Sequence, residues 1–398
     1  MRSLSLSIIA DENIPCVQEA FGRFGSVKTV PGHEISQKGV GSADVLLVRS
    51  VTPITPELVD GSDVRFVGSA TIGTDHVDQE HLAEEGISFA HAPASNADSV
   101  ADYVVAALLT LARTQRVSLA GGTVGIVGCG NTGGRLARRL SALGLHVLQN
   151  DPPRAEEETP PPDFVSLDTV LRNADILTLH VPLTREGPHP THRLIGDKEV
   201  SCMRKGAWLV NTSRGNVVDP EALRSAANSG HLGGLVLDVW PREPTPDPDL
   251  IRAADIATPH IAGYAYDGKV RGTYMLYEAL CQHLGIEPAW DPQAVLRPSD
   301  PNALRAVPPD PRLPPSGALH RLARQAYDVM EDDARVRALS SRPADERAAA
   351  FRHLRKTYPR RREFQRYGVP LSAIPKALRQ AVREGLTMQL TGSSCYER

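Results

Sequence analysis

Arg214, Glu243 and His260 each stand just beyond a short run rich in Val, Ile and Leu, in the segments NTSRGNVVD, LDVWPREP and TPHIAG. A guanidinium grips a carboxylate through two parallel hydrogen bonds. An imidazole ionises near neutrality, and a carboxylate partner orients its ring and stabilises the protonated form. An anchor for a carboxylate, a proton acceptor and an orienting acid are what removing the hydroxyl proton of a 2-hydroxy acid requires. Taken singly, each residue has an ordinary use, as a surface ion pair, a solvated acid or a packed ring. What points to catalysis is all three following strand-like runs, because open α/β sheets bind ligands beyond the carboxyl ends of their strands.

A nucleotide site lies upstream of them. Gly128, Cys129, Gly130, Asn131, Thr132 and Gly133 fit GxGxxG, between a strand expected at 124–127 and a helix expected over about 134–143. The pattern alone is weak, and its place in a strand–turn–helix–strand unit gives it weight. The first glycine allows the tight turn, the second lets backbone approach a pyrophosphate, and the third lets helix and strand pack closely. The next strand, LHVLQN, ends at Asp151, near the expected ~20-residue spacing. That carboxylate would accept hydrogen bonds from ribose hydroxyls and repel a 2′-phosphate, favouring NAD over NADP. Arg154, after Pro152 and Pro153, is the nearby cation that a 2′-phosphate would need.

These groups need a scaffold. Strand-length apolar runs fall at 6–10, 45–50, 64–70 and 87–92, with segments between them long enough for crossover helices. Such runs belong to parallel sheets buried on both faces. A long helix apolar around much of its circumference is expected from about Asn96, through DSVADYVVAALLTLAR. The rhythm resumes at 123, with further strands expected at 176–182, 207–213, 233–240 and 256–263. Residues 287–317 are rich in proline and read as an extended linker. The remainder reads as mainly helical and strongly charged.

Composition narrows the partners. The chain of 398 residues is 41% apolar and 23% charged, with a formal net charge of -3, which gives no reason to expect nucleic acid or an anionic membrane. The basic stretch 355–366 therefore reads as a solvated helix face. The five cysteines, Cys16, Cys129, Cys202, Cys281 and Cys395, form no CxxC pair. They suit reduced thiols in a cytoplasm, with no metal site. The first residues show no secretory pattern, and no apolar run approaches the roughly 20 residues of a membrane span.

GCGNTG, the distant Asp151, NTSRGNVVD, DVWPREP and PHIAG, in this order, resemble the D-isomer-specific 2-hydroxyacid dehydrogenases. DENIP, VRSVT, GSATIGTDHVD, NDPPR, HIAGYAYDGKVRG and the tail segments LARQAYDVMEDDARVR and LRKTYPRRREF are similar to one branch of that family, whose substrate is a small phosphorylated 2-hydroxy acid. The resemblance implies an α/β protein with two Rossmann-like or flavodoxin-like parallel-sheet domains, a cleft between them and a smaller C-terminal α+β domain. It implies a substrate-binding domain over 1–95 completed by about 264–286, an NAD-binding domain over 96–263, a linker over 287–317 and a dimerisation domain over 318–398, in a homodimer. Carried over, Arg214 and Glu243 are active-site residues and His260 is the acid/base. Ser50, Thr71 and Tyr264 match substrate positions, and Arg49 is the cation expected near the substrate phosphate. Asp151, Asp238, Gly263 and Thr212, Ser213 and Arg214 match positions that contact NAD; Val181 stands where the family can carry threonine. The alternatives are another hydroxy acid such as 3-phosphoglycerate as substrate, or a non-catalytic protein that senses NADH.

Overall fold

The computed structural model describes residues 5–114, 116–157, 164–298, 300 and 302–392. They fall into two compact units, Met1–Asn96 with Ala265–Ser299, and Ala97–Tyr264 with Asp300–Arg398. The division runs through the proline-rich stretch.

In the first unit the strands β1 (Leu6–Asp11), β2 (Gly25–Val30), β3 (Val45–Val48), β4 (Phe66–Ser69) and β5 (Ser88–His91) form one sheet in the order β2-β1-β3-β4-β5. All neighbours are parallel, the flavodoxin-like order. β3 and β4 are buried at every position, which is why each reads as a solid apolar run. β2 is an edge strand with alternating, half-exposed residues around Lys28, and it leaves no such run in the sequence. The helix Tyr266–Leu284 returns to this unit and packs Leu276, Tyr277 and Leu280 into the core of Phe21, Phe24 and Phe66.

In the second unit β6 (Thr123–Val127), β7 (His146–Asn150), β8 (Ile176–Leu179), β9 (Trp208–Asn211), β10 (Gly234–Leu237) and β11 (Ile256–Ala257) lie in the order β11-β10-β9-β8-β6-β7. Every pair is again parallel. The chain passes from β6 outward to β7 and then crosses back to β8, so a topological switch point lies between β6 and β8. The helix Ala97–Arg113 is buried along most of its length, as its all-round apolar pattern predicts.

The C-terminal segment folds into this second unit. Leu319, Leu322, Ala323 and Val329 share one apolar core with Val104, Val105 and Leu108. The helices Pro315–Ala326, Val329–Arg337 and Ala344–Lys356 are followed by a two-stranded parallel sheet of β12 (Gly368–Pro370) and β13 (Gln389–Thr391). The stretch 355–366 departs from the solvated helix face expected of it. The helix stops at Lys356, three residues before Pro359, and Arg361 is only 7% exposed. No helix among the described residues is long and apolar enough to cross a membrane. Cys16, Cys129, Cys202 and Cys281 are free thiols, and Cys395 lies outside the described residues.

Candidate active site

Because all six strands of the second sheet are parallel, their carboxyl ends form one edge. Each strand is followed there by residues singled out above. From one side of the sheet to the other, β11 leads to His260, β10 to Asp238 and Glu243, β9 to Thr212–Arg214, β8 to Val181, β6 to the glycine turn and β7 to Asp151. Neighbouring strands are about 4.8 Å apart, so β10 and β7 are separated by roughly 19 Å. The glycine turn and Asp151 thus stand at one end of this edge, a candidate nucleotide end, and Glu243 and His260 at the other, a candidate reacting end.

At the nucleotide end, Gly128 has a φ of +86°, and a Cβ there would sit 2.8 Å from the His180 carbonyl carbon and from Val181 Cγ1. A Cβ on Gly133 would sit 2.0 Å from the Gly128 carbonyl oxygen, so only glycine lets the helix Asn131–Ala142 start so close to its strand. A Cβ on Gly130 would meet nothing within 4 Å, and no side chain caps this helix. Open space before uncapped backbone N–H groups is what a pyrophosphate requires, so the residues present fit NAD. Asn131 is exposed and Thr132 half-buried at the same helix start.

Asp151 fixes the turn as well. Its Oδ2 accepts a 2.7 Å hydrogen bond from Cys129 N, and its Oδ1 accepts from Arg154 N. Arg154 donates to the Cys129 carbonyl at 2.7 Å and lies over the Phe164 ring, which engages the cation that a 2′-phosphate would need. Burial, reinforced by the Asp151 charge, pushes the Cys129 thiol up to about 12, so it is a packing residue and not a nucleophile. His180 was not singled out in the sequence. Burial pushes it down to about 3, and its ring nitrogens meet Thr178 Oγ1 at 2.9 Å and Thr212 Oγ1 at 3.3 Å, making it a neutral buttress for Thr212.

At the reacting end, His260 Nδ1 and Glu243 Oε2 are 2.7 Å apart. Glu243 Oε1 accepts from Trp240 N at 3.0 Å, and the Trp240 indole donates to the Thr258 carbonyl at 2.9 Å. Burial opposes ionisation of Glu243, but the adjacent His260 ring, the Arg355 guanidinium and the hydrogen bond from Trp240 N hold its carboxyl below the usual range. Glu243 stays anionic and can accept from His260 Nδ1–H, which leaves Nε2 as the ring nitrogen outside this pair. Both groups are about one-quarter exposed, so a substrate can reach them.

His260 itself is held in the left-handed region, with φ at 59°. For a residue other than glycine this costs about 1–2 kcal/mol. The offset is visible on both sides of it. Asp238, 1% exposed, accepts from Thr258 Oγ1 at 2.7 Å and Ile261 N at 2.8 Å on one oxygen, and from Ala262 N at 2.9 Å on the other. Three hydrogen bonds to one buried carboxylate thus fix the turn that presents His260.

Arg214 follows β9, half-buried, with one guanidinium nitrogen donating to the Ser213 carbonyl. Asn211 ties this loop together, accepting from Ser213 N and Oγ and donating to the Arg214 carbonyl. A Cβ on Gly215 would sit 2.0 Å from the Trp240 carbonyl carbon, so the Arg214 and Glu243 loops pack backbone to backbone. Gly263 and Tyr264 are half-buried in the loop after His260.

Arg49, Ser50 and Thr71 belong to the first unit. β3 ends at Val48, so Arg49 and Ser50 are already past the strand and free of its alternation, which would have pointed them oppositely. Ser50 is exposed; Thr71 Oγ1 lies 2.7 Å from Ser69 Oγ and donates to the Gly73 carbonyl.

Comparison with known proteins agrees with this layout. Residues 88–262 match the family described as D-isomer specific 2-hydroxyacid dehydrogenase, NAD binding domain, and residues 302–383 match a domain of unknown function. The chain is 59% identical to the erythronate-4-phosphate dehydrogenase of Salinibacter ruber, over 97% of this chain and 99% of the relative. It is 47% identical to that of Azotobacter vinelandii, over 95% and 98%. Among solved structures it resembles the D-lactate dehydrogenase of Aquifex aeolicus complexed with NAD and lactic acid, at 25% identity and a TM-score of 0.60, over 70% of this chain and 96% of that one.

Proposed function

The chain belongs to the erythronate-4-phosphate dehydrogenases, a branch of the D-isomer specific 2-hydroxyacid dehydrogenases, and we propose that it oxidises 4-phospho-D-erythronate to (R)-3-hydroxy-2-oxo-4-phosphooxybutanoate on the route to pyridoxal phosphate. The observation that carries this reading is the order along the sheet edge, with a nucleotide turn at one end and the 2.7 Å His260–Glu243 pair at the other.

NAD, when bound, supplies the acceptor for the hydride leaving C2. The rest falls to side chains of this chain. Arg214 holds the C1 carboxylate. His260 Nε2 accepts the C2 hydroxyl proton, and Glu243 stabilises the resulting imidazolium through Nδ1–H. Fixing the carboxylate and the base relative to each other removes orientational freedom that a reaction in solution would have to lose. Ser50, Thr71 and Tyr264 contact substrate in this scheme; Asp151, Thr212, Ser213, Asp238, Gly263 and the backbone at Val181 serve the cofactor. The protein works as a homodimer, and light scattering tests that: a monomer with full activity overturns it.

NADH fluorescence on mixing protein, NAD and 4-phosphoerythronate tests the substrate, beside 3-phosphoglycerate and with a 2-oxo acid added to reoxidise bound NADH. Reduction by 3-phosphoglycerate alone would keep the chemistry and discard the substrate. For the phosphate, Arg49→Ala should raise KM for 4-phosphoerythronate about tenfold or more with little change in kcat, as loss of a charge-assisted contact predicts. An unchanged KM removes Arg49 from the site.

A further inference from the structure

The loop after His260 is held through both kinds of backbone group. Its N–H groups go to Asp238, which accepts from Ile261 N and Ala262 N. The Ala262 carbonyl goes to the C-terminal segment, where Arg361 Nη2 donates to it. The same nitrogen lies 3.4 Å from the Ser99 carbonyl, in the first turn of the helix Ala97–Arg113. Arg361 is itself fixed. Its guanidinium lies 4.2 Å from the centre of the Tyr327 ring and 5.9 Å from that of Tyr358. Both phenols donate to Asp332 Oδ2, at 2.9 and 2.8 Å. Two and three residues further on, Glu363 accepts from Ser99 Oγ and Phe364 N donates to Asp102 Oδ2, each at 2.9 Å. One guanidinium thus joins the His260 loop to a buried helix, from a segment whose family description names no function.

We propose that Arg361 is a positioning residue for His260, fixing the loop so that the imidazole stands where the substrate proton is taken. The inference rests on the proposed oxidation, in which His260 is the proton acceptor. His260 occupies the left-handed region at a φ of 59°, a conformation that persists only where its surroundings hold it. Asp238 fixes the peptide planes before Ile261 and before Ala262. Arg361 fixes the next plane, between Ala262 and Gly263. Three consecutive planes after His260 are then held, and the torsions between them have little freedom left. Packing alone does not account for an arginine here. Its Nη1 is buried with no hydrogen-bond partner among the described residues, a cost that an apolar side chain filling the same space would avoid. What only a guanidinium does at this place is to reach two carbonyls while its face rests on an aromatic ring.

The test uses the full chain with Arg361→Met, which keeps a stem against Tyr327 and removes every donor, and Arg361→Lys, which keeps a donor without the fork. Two quantities are read. One is the rate of NADH formation in the first turnover with 4-phosphoerythronate at saturating NAD, counted per NADH-binding site. The other is hydrogen exchange at the Ile261 and Ala262 amides without substrate. Counting per site removes any loss of folded protein, which is all that a purely structural role would cause. In Arg361→Met the rate per site should fall about 10²-fold, the loss expected for a displacement near 1 Å. Both amides should exchange about tenfold faster, as a loosened loop opens more often. Arg361→Lys should regain about tenfold of the lost rate by restoring one charged hydrogen bond. A rate per site near wild type in Arg361→Met overturns the proposal, whatever happens to thermal stability. So does an Arg361→Lys no faster than Arg361→Met, which would mean packing and not hydrogen bonding. If Arg361→Met does not fold, Arg361→Lys is read alone, and wild-type exchange at both amides overturns the proposal. A wild-type protein inert toward 4-phosphoerythronate would sink the substrate reading, while the substrate-free exchange still decides whether Arg361 holds the loop.

Discussion

His260→Ala should lower kcat by about 10²–10⁴-fold, the range for loss of a general base, while leaving NAD affinity near its wild-type value. The separation follows from the sheet. His260 stands beyond β11 at the reacting end, whereas the glycine turn and Asp151 stand beyond β6 and β7. Removing the imidazole also strips Glu243 of its 2.7 Å partner, so its carboxyl pKa should rise. That rise cannot restore the reaction, because no other proton acceptor stands where Nε2 does in the proposed scheme. Steady-state kinetics and NADH binding measured on the same preparation decide the matter. Weakened NAD binding with normal turnover at saturation would move His260 out of the chemistry and into the cofactor site.

Much of this was legible in the sequence because buried parallel strands leave a plain trace. β3, β4, β8 and β9 have no exposed face, so each is an unbroken apolar run, and the turns after them are where function can sit. The glycine turn was legible for a steric reason that the structure makes explicit, with any Cβ on Gly133 colliding with the Gly128 carbonyl. β2 was missed because an edge strand with one wetted face needs no such run. The tail is helical as its spacing predicts, and only the stretch 355–366 departs from its reading. A string of arginines between 355 and 366 reads as a solvated surface by composition, yet Arg361 is buried against Tyr327, and Arg355, half-buried, lies over the Tyr264 ring. Aromatic faces and backbone carbonyls make burial of a guanidinium affordable, and neither is visible from charge counting.

Asp238 shows a different limit. Its family match points to NAD, but its three hydrogen-bond donors come from Thr258, Ile261 and Ala262, more than 19 residues away. Two of the three are backbone N–H groups, which carry no residue type to recognise. Its second task, fixing the His260 turn, is therefore a property of the fold and not of any motif. Similarly, His180 reads as one more residue at a strand end until its two ring nitrogens are found against Thr178 and Thr212.

Asp238→Asn separates these two tasks. The amide can place its oxygen toward Thr258 and Ile261 or toward Ala262, but whichever side receives the NH₂ then has a backbone donor facing a donor. Leaving a buried N–H unsatisfied costs about 1–3 kcal/mol. That penalty falls on a turn already carrying the left-handed backbone of His260, so the loop should relax and move Nε2 off its productive position. A displacement of about 1 Å is enough for a loss near 10²-fold in kcat. The expected result is thus a large fall in kcat at saturating NAD, a lower melting temperature and a smaller change in NAD affinity. If Asp238 served the cofactor alone, the variant would show weakened NAD binding, and kcat at saturation would survive. A near-wild-type kcat with unchanged melting temperature would mean that the 59° φ of His260 is sustained without this carboxylate, leaving Tyr264, Tyr358 and Arg361 as the groups that hold the loop.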